Sequence, residues 1–255
     1  MELTLLGTGC AQQIPVFGCE CVICAKAREQ PTLGRKPCSA MLCYQGETSL
    51  IDAGLPTLES QFAAGEIQRF LLTHYHIDHV QGLFPLRWGC GNAIPVYSPP
   101  DPQGCDDLYK SPGILAFQPP LRAFQPIQFG DLRVTPVPLN HSKITFGYLL
   151  QSSSRAIAYL TDTIGLPADS ALFLASKHID LLVQDCSHPP YNPASHQPPP
   201  RNHNDVTMAL AISELLKPKA TLLTHISHQM DAWALDNTLP AGITIAHDNQ
   251  TISLQ

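Results

Sequence analysis

Short apolar runs punctuate the chain at residues 3–6, 48–51, 70–72, 94–97, 134–137, 156–160, 181–183, 221–223 and 243–246. Each is rich in leucine or β-branched residues and is flanked by Gly, Pro or polar turn residues, which is the signature of strands. Several are followed at once by an aspartate or a histidine. Helical periodicity is clearest over 204–216, where Val206, Leu210, Ile212 and Leu215 recur at roughly three- to four-residue spacing. Asn204 is the candidate cap and Pro218 the stop. Weaker helical starts fall near Asp78, Ala168 and Ser227. Strands in both halves with few intervening helices predict an α/β protein with helices outside sheets.

No internal repeat is present. The stretch SHPPYNPASHQPPP at 187–200 holds six prolines. A linker there would leave a C-terminal remainder too small for a comfortable core, so the expectation is a long surface loop over a site. The expected organisation is one domain over 1–255, with an N-terminal metal-binding loop at about 18–38.

Composition narrows the class. Across 255 residues, 44% hydrophobic and 14% charged content suits a globular protein with a substantial core. A net charge of −6 argues against general salt-driven attraction to nucleic acid. The opening MELTLLGTGC lacks a basic segment followed by a long apolar stretch, and no run reaches the ~18 apolar residues of a spanning helix. A cytoplasmic location with no membrane partner is expected. The nine cysteines are odd in number, and six (Cys10, Cys38, Cys43, Cys90, Cys105 and Cys186) lack framework spacing, so reduced thiols are expected.

The strongest chemical signal is THYHIDH at 73–79, directly after the apolar run 70–72. Imidazole and carboxylate donors suit zinc, manganese or iron. Alternate residues leaving a strand share a face, so His74 and His76 can aim to one side while Asp78 and His79 serve a second position. His141, Asp162 and His225 each follow an apolar strand in the same way. They add two histidines and one carboxylate.

This combination, with LIDAG at 50–54, resembles the metallo-β-lactamase superfamily over nearly the whole chain. The resemblance implies one αβ/βα four-layer sandwich with metals at the sheet edges. It assigns His74, His76 and His141 to one metal, Asp78, His79 and His225 to the other, and Asp162 as the bridge between them. It makes Asp52 an orienting partner of a ligand. Two metals about 3.5–4 Å apart can hold a bridging hydroxide and clamp a phosphoester for in-line attack. No Gly-x-Ser-x-Gly elbow or nucleotide-type phosphate loop is present.

The stretches LLTHYHIDHVQGLFPLRWG, PVPLNHSKITFGYLL, QDCSHPP, PRNHND and LLTHISHQMDAW resemble the PhnP family of phosphoribosyl cyclic phosphate phosphodiesterases of phosphonate catabolism, the carbon–phosphorus lyase pathway. That family implies opening of 5-phosphoribosyl 1,2-cyclic phosphate to ribose 1,5-bisphosphate, with 2′,3′-cyclic nucleotides as further candidate substrates. On resemblance alone the catalytic pair is assigned two manganese ions, with zinc or another divalent ion as the alternative. The partner is then the small cyclic phosphate, with no stable nucleic acid and a homodimer as a candidate assembly.

By itself His203 reads as a solvated helix-start histidine; the family places its equivalent at the active site. It would contact the phosphate or protonate the departing ribose oxygen, a role suited to imidazole. Asp78 is at once a ligand and a candidate for orienting or deprotonating the attacking water. Arg201 and Lys143 are candidates for the substrate's second phosphate or simply surface cations. His178, His188, His196 and His247 are assigned to loops or the surface, His188 least securely because it follows Asp185 at a strand end.

In GCECVIC at 18–24, Cys19, Cys21 and Cys24 need one more donor for a tetrahedral zinc. His228 is the candidate donor, three residues after His225, so that His225 can face the catalytic pair while His228 turns outward. The competing reading is a redox Cys-x-x-Cys from Cys21 to Cys24, which leaves Cys19 idle. The resembling family also places a structural zinc there. The rival enzyme class is a tRNA 3′-processing endonuclease. A thiol-based metal sensor or redox switch is the rival of another kind.

Overall fold

The computed structural model describes residues 1–194 and 198–254. The first half lays down β1 (Glu2–Gly7), β2 (Ser39–Tyr44), β3 (Glu47–Ile51), β4 (Arg69–Leu71), β5 (Ile94–Tyr97) and β6 (Leu115–Phe117). The second adds β7 (Ile127–Phe129), β8 (Leu132–Leu139), β9 (Thr145–Gln151), β10 (Ala156–Leu160), β11 (Leu181–Asp185), β12 (Ala220–Thr224) and β13 (Ile243–Ile245). A last strand, β14 (Gln250–Ser253), returns to pair with β1. Two seven-stranded mixed sheets result, ordered β14-β1-β2-β3-β4-β5-β6 and β13-β12-β11-β10-β9-β8-β7.

The sheets bury one core between them, including Leu3, Leu5, Leu42, Leu71, Tyr148, Tyr159 and Val183. Helices cover the outer faces. α2 (Leu58–Gln61), α3 (Ile77–Val80) and α4 (Leu83–Leu86) lie with Phe70, Leu72 and Val96 on the first sheet. On the second, α6 (Ala168–Ala175) and α7 (Val206–Leu216) lie with Leu149, Leu182, Leu174 and Ile212. Each inner strand is therefore covered on both faces: Leu181 and Val183 point between the sheets and Leu182 points out. This is why these strands read as unbroken apolar runs rather than alternating ones. The four layers are those implied by the superfamily resemblance. The remaining helices are α1 (Val22–Glu29), α5 (Asp106–Lys110) and α8 (His228–Ala234). No described helix is long and apolar enough to cross a membrane.

Strands β3 to β6 run parallel, as do β10 to β13. Parallel order brings the C-terminal ends of each set to a single rim, where sheets of this kind collect their sites. Asp52 follows β3, His74 to His79 follow β4, His141 follows β8, Asp162 follows β10, Asp185 ends β11, and His225 follows β12.

Several elements differ from the sequence expectation. The α7 cap is Asp205, whose Oδ1 accepts from the Met208 amide at 2.8 Å. Asn204 turns inward instead, and its Oδ1 accepts from the Gly165 amide at 2.7 Å. α1 was hidden by its thiol-rich start. β9 was hidden by Gly147, whose presence lowers strand propensity. A Cβ there would lie 2.7 Å from the Tyr159 carbonyl oxygen of β10, so the close approach of the two strands requires glycine.

Candidate metal centre

Strand ends deliver seven donors to one buried spot, and their hydrogen bonds decide which atoms face each other. His79 Nδ1 donates to Asp52 Oδ2 at 2.7 Å. The Thr73 hydroxyl also donates to Asp52 Oδ2, at 2.8 Å, so His74 Nδ1 donates to Thr73 Oγ1 at 3.0 Å. His141 Nδ1 donates to the Asn202 carbonyl at 3.1 Å. His225 Nδ1 donates to Ser187 Oγ at 2.8 Å, and the Ser187 hydroxyl has two acceptors in reach, the His225 carbonyl at 2.8 Å and Asp185 Oδ1 at 3.0 Å. Four rings thus use Nδ1 on protein partners and turn Nε2 inward, the usual arrangement of metal-binding histidines. His76 is reversed: its Nδ1 lies 2.9 Å from His74 Nε2 and 3.0 Å from His141 Nε2.

That triangle of imidazole nitrogens is the first donor set. Asp78, His79 and His225 form the second: Asp78 Oδ2 lies 3.4 Å from His79 Nε2 and 3.8 Å from His225 Nε2. Asp162 Oδ2 stands between the sets. It is 3.3 Å from His79 Nε2, 3.3 Å from His225 Nε2, 3.8 Å from His74 Nε2 and 3.9 Å from His141 Nε2. The geometry therefore gathers every residue expected in the pair.

Do these residues fit divalent cations? Donors sharing one ion at roughly 2.1 Å lie about 3.0–3.4 Å apart, close to the spacings seen. His79 Nε2, His225 Nε2 and Asp162 Oδ1 are buried and have no hydrogen-bond partner among the described residues. Burial pushes His74 well below the usual imidazole range and His141 down to about 4, which leaves neutral lone-pair donors. Burial opposes a proton on His79, but the Asp162 and Asp52 carboxylates outweigh it and raise its pKa well above normal. A field that holds a proton that strongly favours a cation. The residues fit.

Asp52 sits fully buried in the left-handed region at φ 62°, as does His225 at φ 59°. Such backbone costs on the order of 1–3 kcal/mol per non-glycine residue and persists where the surroundings over-determine it. Asp52 accepts the Thr73 amide at 2.7 Å as well as the His79 ring, so one carboxylate orients both the turn and a ligand. Asp52→Asn is expected to lower catalytic-metal affinity about 10–100-fold while the fold persists. Chelator competition followed by calorimetry checks this; unchanged affinity would remove Asp52 from the support of His79.

His203 reaches the same centre. Its ring stacks on His225 at 4.5 Å, and its Nδ1 donates to Asp185 Oδ2 at 2.7 Å. Burial opposes its charge, yet the Asp185 carboxylate prevails and raises its pKa to about 9. Asp185 was not foreseen as a functional residue. It supports His225 through Ser187 and holds His203 directly. The signal was present, since Asp185 follows LLVQ as Asp162 follows its own strand.

The three thiols converge on His228. Cys19, Cys21 and Cys24 Sγ lie 3.4, 3.3 and 3.6 Å from His228 Nδ1. Sulfur and nitrogen donors on one tetrahedral zinc would be about 3.6 Å apart, so the set fits a structural zinc. Burial would raise the Cys21 thiol, but the Cys24 amide, His228 and the neighbouring thiols lower it to about 6. All nine cysteines are free.

Lys143 Nζ lies 3.8 Å from Asp101 Oδ2, and Arg201 is exposed beside the proline-rich loop. His178 and His247 are exposed, in keeping with their surface assignment. His188 is half-buried with its ring 6.5 Å from His203, closer to the centre than expected. His196 lies outside the described residues.

A family model described as a beta-lactamase superfamily domain matches residues 48–226. An octanoyltransferase of Porphyromonas gingivalis is 26% identical over 245 residues, covering 89% of this chain and 46% of that protein. A ribonuclease Z of Acaryochloris marina is 29% identical over 158 residues, covering 54% of this chain and 50% of that protein. The chain spans about half the length of these curated relatives. Among solved structures, a diphosphatase described as from the PhnP family has a TM-score of 0.79 at 26% identity, covering 100% of this chain and 98% of that one.

Proposed function

The chain belongs to the beta-lactamase superfamily, and from that membership and the donor geometry we propose a metal-dependent phosphodiesterase that opens 5-phosphoribosyl 1,2-cyclic phosphate to ribose 1,5-bisphosphate. The observation that carries the reading is two donor sets sharing Asp162 Oδ2, with the His203–Asp185 pair stacked against one of them. Likeness to the PhnP-family diphosphatase supports phosphate ester chemistry.

Two divalent ions held there, proposed to be manganese, would activate water and neutralise charge on the phosphoryl oxygens. The protein's own contribution is positional and protonic. Asp52, Thr73, Asn202 and Ser187 fix the rings so that no reorganisation is needed during reaction. Asp78, at one side of the pair, also orients the attacking water. His203 donates Nδ1–H to Asp185, which leaves its other nitrogen to give a proton to the departing ribose oxygen.

His203→Ala is expected to lower kcat on cyclic phosphates by about 10²–10⁴ with metal content unchanged. Equal kcat in the variant would exclude His203 from proton transfer. The direct test of the whole reading is metal analysis of the purified protein beside assays of ribosyl 1,2-cyclic phosphates, 2′,3′-cyclic nucleotides and a tRNA precursor. Ring opening by a protein with two catalytic ions and one zinc is expected. The ribonuclease Z relative motivates the tRNA arm, and the net charge of −6 weighs against it. Tight, salt-sensitive cleavage of the tRNA precursor without ring opening would replace this reading. Two bound metals with no activity on any of these substrates would favour the sensor.

A further inference from the structure

Where the chain approaches His203, the surface opens into a cavity of about 610 Å³ lined by His188, Tyr191, Pro199, Pro200, Arg201 and Gln229, among others. Its position relative to the metal centre follows from the rings. His203 stacks on His225 at 4.5 Å and has the His188 ring 6.5 Å away, so the His188 wall of the cavity neighbours His203. In ring opening of a cyclic phosphate the leaving oxygen stays attached to its sugar. A sugar whose oxygen takes its proton from His203 can extend past His188 into this space.

The charge in the cavity is specific. Arg201 is the one cation among its described lining residues, and no described carboxylate pairs with it. The other candidate cation, Lys143, already faces the Asp101 carboxylate at 3.8 Å. In a chain of net charge −6, an anionic substrate needs an uncompensated local cation to hold its far end. A guanidinium offers a planar fork that matches a phosphate bidentately. Proline-rich walls from residues 198–200 supply apolar, stiff sides for a sugar.

We propose that this cavity is the subsite for a phosphomonoester arm of the substrate, with Arg201 gripping the phosphate and the His188–Tyr191 wall lining the sugar's path. Arg201 is then a specificity residue that selects doubly phosphorylated sugars over singly phosphorylated ones. The assignment rests on the ring-opening reading above.

The test compares wild type, Arg201→Ala, Arg201→Lys and Lys143→Ala on ribosyl 1,2-cyclic phosphate with and without a 5-phosphate, alongside calorimetric binding of ribose 5-phosphate. Arg201→Ala is expected to raise KM for the 5-phosphorylated substrate tenfold or more, at similar kcat. KM for the substrate lacking that phosphate is expected to stay unchanged. Arg201→Lys should recover part of the loss, and Lys143→Ala should show no preference between the substrates. Affinity for ribose 5-phosphate should fall in parallel with Arg201→Ala.

Equal KM changes for both substrates, or a selective loss confined to Lys143→Ala, would overturn the subsite and leave ring opening intact. A wild type inactive on both substrates that still binds ribose 5-phosphate through Arg201 would keep the subsite and overturn ring opening. Neither activity nor Arg201-dependent binding would overturn both.

Discussion

Asp162→Ala is expected to reduce hydrolysis by a factor on the order of 10³ or more and to release the catalytic metals, while the zinc at the cysteines stays bound. Asp162 is fully buried, and its Oδ2 alone stands within 4 Å of four imidazole nitrogens from both donor sets. Alanine would leave those lone pairs facing one another with no anion between them. A partner that only orients a ligand is worth about 10–100-fold in affinity, so loss of a shared donor must exceed that. Metal analysis beside turnover on a cyclic phosphate gives the answer. A variant that keeps two catalytic ions and activity within tenfold of wild type would show that Asp162 is not shared. Retention of the thiol-held zinc separates this outcome from general unfolding.

Cys21→Ser is expected to release one zinc per chain and lower Tm by about 10 °C, since 3–5 kcal/mol at roughly 2–4 °C per kcal/mol gives a drop of that order. The effect on turnover is indirect. Cys21 caps α1 by accepting the Cys24 amide, and its sulfur lies 3.3 Å from His228 at the start of α8. His228 follows His225 by three residues, and the Ile226 amide between them donates to the Thr8 carbonyl at 2.8 Å. Zinc would therefore anchor the turn carrying His225 to the N-terminal loop. Arg35 reinforces the anchor with two bonds to Asp231 of α8, at 2.7 and 2.8 Å. About a tenfold fall in activity is expected at temperatures where the variant remains folded. Full zinc content in Cys21→Ser would break the link between these thiols and the metal.

How much of this was legible beforehand depends on the range of each signal. The THYHIDH run could be read because its donors are neighbours in sequence. The inner strands could be read because burial on both faces makes them uniformly apolar. β9 could not, because its Gly147 answers to the Tyr159 carbonyl of another strand rather than to local propensity. The Asn204 side chain left the cap position to Asp205 for the same reason: a partner at Gly165 is invisible from the helix sequence. Asp185 carried the strand-then-carboxylate pattern, but the histidine it holds, His203, lies eighteen residues away in the sequence.

By itself the sequence determined the inventory: strand-end donors of two metal-binding types, three thiols in one loop, and the apolar runs that force two covered sheets. Those are local properties, set by residue chemistry and by periods of two and three to four residues. Only the tertiary structure decided orientation. It put Asp162 between two donor sets, chose which ring nitrogen each histidine turns inward, and brought Asp185 under both His203 and the Ser187–His225 bond. Among the described residues it also left Arg201 without a carboxylate partner in the cavity wall, while Lys143 met Asp101. Those outcomes depend on hydrogen bonds and charge pairs between residues distant in sequence, whose distances are fixed only when the parallel strand ends meet at one rim.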